Sequence, residues 1–273
     1  MRQKRRGVGV RVVPRHGLRR PVSDPKPIEF LMIVSTYQPF FAPFPAFFYK
    51  AHRSDIMVIL DDVQFPLRTT WINRNRFKND QGALWMTIPV WKKGLGLQQI
   101  NRVRICREGN WRKKHLASLK TSYANAPYFR EHVDIIEEIF SARFEKLVDL
   151  NIMIIRYLKE QLGIDTPLIV QSDLGVSGKG NELLVEICRK VGSSNYLAQA
   201  AAKKYLDARL FDEAGIELKF FLPPSPVYPQ LWGDFIHDLS AFDLLFNCGP
   251  KSHEILCGKL GDVRGKSGPS VTF

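Results

Sequence analysis

At 273 residues, with 45% hydrophobic and 25% charged side chains, the chain has the ordinary composition of a globular protein and the length of one large or two small domains. Its formal charge of +13 is local: residues 1–27 hold nine Lys/Arg against one acid, Asp24, so residues 28–273 hold 31 against 26. A body of net +5 does not predict nucleic-acid binding, and the basic stretch reads as a disordered, solvated arm.

No apolar run of signal-peptide type follows the arm, and no window is apolar enough to span a membrane. Cys106, Cys188, Cys248 and Cys257 lie far apart, without CxxC pairing or zinc-ligand spacing. A reduced, cytoplasmic chain is the expectation. No motif implies a cofactor, which is left unknown.

In chain order, residues 31–36 are an apolar run suited to a buried strand, followed by a Pro-rich loop at 38–45 and a short helix at 46–52. Residues 56–60 are a second buried strand, so the pair is parallel with a right-handed crossover. Strands are expected at 71–77 and 83–90 around a Gly-containing turn at 78–82, with a third at 99–106. Apolar spacing predicts helices at 111–123, 128–140 and 146–162. Strands at 167–171, 195–197 and 216–221 then alternate with helices at 181–191, 202–214 and 240–247, ahead of a Gly-rich tail at 258–273. The expected fold is α/β: a mixed, largely parallel sheet covered by helices, in a domain at 28–257 with a helical insertion at about 111–162.

Polar clusters sit at the ends of these elements. Asp61 and Asp62 end the second strand, where α/β sheets bind ligands, and the loop carrying Gln38 shares that edge with Gln64. Strand neighbours point to opposite faces, so at most one Asp faces a given pocket; capping a turn is the competing role. On an extended segment Trp71, Asn73 and Asn75 share one face and Ile72, Arg74 and Arg76 the other. Two amides beside a Trp suit a sugar or nucleotide, and an Arg suits phosphate or carboxylate. His115 follows Lys114 on a helix and is a candidate general base. Ser177-Gly-Lys-Gly-Asn181 opens a helix without P-loop spacing. Asp243 and Asn247 share a helix face.

These clusters, in this order, resemble the WbqC-like protein family. The features are Gln38-Pro39 with Phe41, Asp61-Asp62-Val63-Gln64-Phe65, Trp71 to Arg76, Pro89, Trp111 with Lys114-His115, Tyr123 with Ala126-Pro127, Cys188 with Gly192, Tyr196-Leu197, Tyr228-Pro229-Gln230, and Leu239 to Asn247 with Gly249. The resemblance implies a bacterial protein of surface-polysaccharide or natural-product clusters, including O-antigen. It implies transfer of an aminoacyl group such as glycine, or another acyl group, to an amino sugar. Asp61, Asp62 and His115 would then be the catalytic candidates. Gln38, Gln64, Trp71, Asn73, Arg74, Asn75, Lys114, Tyr123, Tyr228, Gln230, Asp243 and Asn247 would bind substrate, most simply a sugar nucleotide. An ATP-dependent amide ligase and a non-catalytic sugar- or nucleotide-binding protein are the alternatives. One departure stands out: after Tyr196-Leu197 the family usually runs Ser-Gly, and this chain reads Ala198-Gln199-Ala200-Ala201-Ala202.

Overall fold

The computed structural model describes residues 32–258; the expected arm at 1–27 and the tail beyond 258 lie outside the described residues. Strand β1 (Ile33–Tyr37) runs through the Pro-rich loop into helix α1 (Pro45–His52) and then β2 (Ile56–Ile59). Pro45 opens α1, where its missing N–H is one the first turn leaves unbonded anyway. Strands β3 (Arg74–Asn79) and β4 (Gly82–Thr87) form an antiparallel hairpin. Helices α2 (Trp111–Tyr123), α3 (Val133–Ser141) and α4 (Leu147–Gln161) follow. Then come β5 (Leu168–Val170), α5 (Gln171–Leu174), α6 (Gly180–Val191), β6 (Asn195–Gln199), α7 (Ala208–Glu213) and β7 (Glu217–Phe221). Helices α8 (Ala241–Cys248) and α9 (Ser252–Cys257) close the described chain.

Five strands pair in the order β5-β2-β1-β6-β7, every pair parallel. The fold is α/β, and the order of the strands reverses between β1 and β6. Burial on both faces follows from alternation along the strands. Met57 and Ile59 of β2 join the core built on α1, α4 and α8, whereas Val58 joins a second core with Leu183 and Ile187 of α6 and Phe211 of α7. Phe47 and Phe48 of α1 are fully buried, each contributing roughly 1.5–3 kcal/mol by transfer from water.

Two expectations change. The segment 99–106 makes one 3₁₀ turn, Ile100–Arg102, and its β pairing is limited to single bridges such as Val90–Ile105. The reason is spacing: Ile100 and Val103 are both buried, and residues three apart face the same way in a tight turn, not in a strand. The helix expected at 202–214 divides into a 3₁₀ turn, Ala200–Tyr205, and α7. Asp207 divides them, because its carboxylate accepts from Arg209 N at 3.1 Å and starts α7 afresh.

The loop after β1 is held by two buried carboxamides. Asn75 Nδ2 donates to the carbonyls of Phe41 and Ala42 at 3.1 and 2.6 Å. Asn151 Nδ2, from α4, donates to the carbonyls of Pro39 and Ile72, both at 2.7 Å. Phe41 N adds a bond to Trp71 O at 2.9 Å. Ala42 is thereby kept at φ +44°, a conformation a non-glycine residue rarely adopts. Replacement of Asn151 by Leu preserves shape but leaves two buried carbonyls without donors. Asn151→Leu is expected to lower unfolding free energy by about 2–4 kcal/mol in urea titration.

Candidate functional site

The carboxyl edge of the sheet brings together the ends of β1, β2, β5 and β6. At the end of β2 the two acids part company. Asp61 is 3% exposed, and its Oδ1 accepts from Ser172 N at 2.9 Å, the start of α5. Its backbone carbonyl accepts from Asn101 N at 2.8 Å. Asp62 Oδ1 accepts from Asn101 Nδ2 at 3.0 Å, and the residue lines a cleft of about 630 Å³. Gln64, Gln98, Gln99, Lys179 and Gly180 line the same cleft. The Gly178-Lys179-Gly180 turn enters it from the start of α6, which carries no side-chain cap. Asp61 therefore caps a helix, whereas Asp62 faces the cleft.

Between β1 and β6 the strands separate. Their pairing ends at Ser35 and Leu197, although β1 stays paired with β2 as far as Tyr37 and β6 with β7 as far as Gln199. The next rung would give the Thr36 carbonyl to β6. Instead Lys50 Nζ, from α1, donates to it at 2.8 Å. Above this point Gln199 Nε2 donates to the Tyr37 hydroxyl at 2.6 Å, and the Thr36 and Tyr196 hydroxyls lie 2.7 Å apart. Lys50 is buried, its ammonium 4.8 Å over the Tyr37 ring, and burial lowers its pKa from 10.5 to about 7. Desolvation likewise pushes the Tyr37 hydroxyl well above its ordinary value. Gln38, at the mouth of this seam, makes no side-chain hydrogen bond among the described residues.

The hairpin sorts its side chains differently from the expected alternation. Residues 71–73 form a turn rather than strand, which rotates Trp71 onto the side of the arginines. Trp71 stacks on Trp85 at 5.7 Å between centroids, and the Arg74 guanidinium lies 3.8 Å above the Trp85 ring. Asn75 is fully buried in the clamp, and Asn73 Nδ2 donates to Ile88 O at 3.0 Å. Asn73 and Arg74 border a hollow of about 570 Å³ with Arg68, Thr87 and Lys92. His115 stands behind it: Nε2 lies 2.9 Å from Thr87 O. Burial lowers the His115 pKa, with the carbonyl bond opposing, and so favours the neutral ring. A neutral imidazole facing a carbonyl must donate from Nε2, leaving Nδ1 as the acceptor. Lys114 beside it is exposed.

The remaining candidates form a closed network. Tyr123 and Tyr228 hydroxyls donate to the two Asp243 oxygens at 2.7 and 2.8 Å. Tyr123 OH also accepts from Lys78 N, and Lys78 Nζ reaches Gln230 Oε1 at 3.1 Å. Asn247 Nδ2 donates to the Asp243 carbonyl one turn back. Tyr123 and Asp243 are 0% exposed, so this set joins α2, α8 and the hairpin to one another. Burial raises the Asp243 pKa against the pull of both tyrosines, and raises Tyr123 and Tyr228 further. Gly249, just beyond α8, has the Tyr128 ring 2.4 Å from where a Cβ would stand, so no larger residue fits.

The sequence profile of the WbqC-like protein family matches residues 38–255. The chain belongs to the WbqC-like protein family. The uncharacterized protein Rv1507c of Mycobacterium tuberculosis (strain ATCC 25618 / H37Rv) is 33% identical over 226 residues, covering 82% of this chain and 96% of that one. No solved structure matches. The matched span begins at the clamped loop and ends in α9, taking in the cleft, the hairpin and the Asp243 network. The departure from the Ser-Gly that the resemblance implies falls on the seam, where Gln199 bonds Tyr37.

Sequence reasoning missed Lys50, Asn151 and Lys78. Nothing in a single lysine or asparagine on a helix marks it as buried; Lys50 was legible only as a basic residue at an otherwise apolar helix position. Its titration is measurable. Between about pH 7 and 10.5 the unfolded chain holds a proton that folded Lys50 lacks, so stability climbs with pH across that window. In Lys50→Met that component of the climb is expected to vanish, seen by comparing urea unfolding of both proteins at pH 7 and 9.5.

Proposed function

We propose that this protein is a cytoplasmic transferase that forms an amide, by moving an aminoacyl or other acyl group onto the amine of an amino-sugar nucleotide in surface-polysaccharide or natural-product biosynthesis. The observation that carries the reading is the amide-lined cleft at the carboxyl edge, with Asp62 in its wall and an acid-free basic hollow beginning on the same loop. An amino sugar is an ammonium ion at neutral pH and must lose a proton before nitrogen attacks an acyl carbon. Asp62 is the base suited to that step, since Asp61 is committed to α5. Gln38 and Gln64 supply carboxamides that hydrogen-bond hydroxyl and amide groups, and Arg74 supplies a cation for phosphate. His115, held by Thr87 O behind the hollow, remains a base candidate through Nδ1. Tyr123, Tyr228, Gln230, Asp243 and Asn247 support the site through the hairpin rather than by touching substrate. No helix among the described residues is long and apolar enough to cross a membrane.

A second reading, ATP-dependent ligation, is favoured by the sheet order. Numbering only the parallel strands, the order runs third, second, first, fourth, fifth, the arrangement that binds nucleotides at its reversal point.

The test incubates the protein with a UDP-amino sugar and acyl donors, with and without ATP, and follows acylated product by mass spectrometry. Asp62→Asn is expected to lower turnover by about a hundred-fold at unchanged melting temperature. Asp61→Asn is expected to lower the melting temperature instead. Pyrophosphate release coupled to product selects the ligase. Binding of the nucleotide sugar with no product from any donor selects the non-catalytic alternative.

A further inference from the structure

Three cations line the hollow beside the hairpin, and no Asp or Glu lines it. None of Arg68, Arg74 and Lys92 forms an ion pair among the described residues; the pairs present are Arg104–Glu145, Lys120–Glu137, Arg189–Glu186 and Lys219–Glu217. Arg74 is held in one plane by the Trp85 ring 3.8 Å below it, and Trp85 is itself stacked on Trp71. Stacking occupies the guanidinium face and leaves its edge, which carries the N–H donors. Arg74 Nε is buried with no hydrogen-bond partner. Lys92 lies over the Phe65 ring at 4.7 Å, and burial holds its pKa below the ordinary lysine value. Thr69 and Thr87 add hydroxyls to the lining.

Like charges brought together without a counter-ion repel one another, and the repulsion is relieved by an anion placed between them. A single carboxylate would be matched by Arg74 alone. Three cations match a ligand carrying two or three negative charges spread over several oxygens. We propose that this hollow is a diphosphate-binding site, in which the edge of Arg74 grips one phosphoryl group bidentately while Arg68 and Lys92 close on the other. That the diphosphate belongs to a nucleotide sugar rests on the function proposed above; the site's affinity for diphosphate does not. Arg68 and Lys92 are new to the site, since only Arg74 stands out in the sequence.

The experiment is isothermal titration of the full chain with sodium pyrophosphate, then with UDP-glucosamine, at low and at physiological salt. Arg68 is exposed and Lys92 lies at the surface over one ring, so Arg68→Gln and Lys92→Gln leave the core intact. Each is expected to weaken pyrophosphate binding about ten-fold or more, in line with loss of a charge-assisted hydrogen bond, at unchanged melting temperature. Arg68→Lys should recover part of the loss, raised salt should weaken the wild type more than the variants, and acetate should not compete. Absence of saturable pyrophosphate binding, or an unchanged Kd in the double variant, overturns the site. The two proposals fail separately. Pyrophosphate bound in the hollow with no binding of UDP-glucosamine keeps the site and sinks the sugar-nucleotide reading. Turnover of UDP-glucosamine with an unchanged KM in the double variant keeps that reading and sinks the site.

Discussion

Two buried carboxamides fix the geometry on which the candidate site depends. Asn75 on the hairpin and Asn151 on α4 each place both N–H donors on backbone carbonyls of the chain around residues 39–42 and 72. An irregular loop cannot satisfy its own carbonyls, and leaving four of them dry would cost several kcal/mol. Side chains that mimic the peptide group do so instead, and in doing so lock the loop after β1, the hairpin and the helical segment together. The Asp243 network repeats the device with hydroxyls and a carboxylate, tying α2 and α8 to the same hairpin. The hairpin is too small to be stable alone, and these two polar anchors supply what a third strand otherwise would.

The split between β1 and β6 has a related logic. A parallel ladder would normally continue to the strand ends, but here the last carbonyl of the seam is handed to Lys50. A buried amine with one carbonyl partner and no carboxylate is a costly choice, because burial disfavours its charged form and lowers its pKa. The cost is borne where the strand order reverses, which is where α/β sheets open to ligands. The parted strands let the Tyr37 and Gln199 side chains meet above the sheet rather than being covered by further backbone pairing.

Much of the architecture was legible from the chain. Apolar runs such as 31–36 and 56–60 suit a doubly covered strand, and the helix at 111–123 was read to its ends. Two of the misreadings share a cause. The segments 71–77 and 99–106 are short and partly alternating, and a single turn in either reverses the face of every residue beyond it. That is why Trp71 joined the arginines and Ile100 the core. The candidate residues were legible as polar groups at element ends, but their division was not. Separating Asp62 from Asp61 required knowing that Ser172 sits against Asp61, 111 residues away in sequence. Separating the Tyr123–Tyr228–Asp243 group from a substrate pocket required its burial. The family resemblance named all of these residues alike, because a residue that holds a site and a residue that acts in it leave the same mark on a sequence.

The Ala198–Ala202 departure can now be weighed by position. The resemblance implies a hydroxyl and a glycine after Tyr196-Leu197, and this chain replaces them with a methyl and a carboxamide. Ala198 is buried in the second core beside Leu183 and Phe211, so a methyl there costs nothing in packing. Gln199 is held by the Tyr37 hydroxyl at the mouth of the seam. The departure thus places a buried methyl in the second core and a hydrogen-bonded carboxamide at the seam. Asp62, Gln64 and the basic hollow lie on other loops and are unaffected by it. Under the proposed function, a change confined to this one wall would act first on which ligand fits.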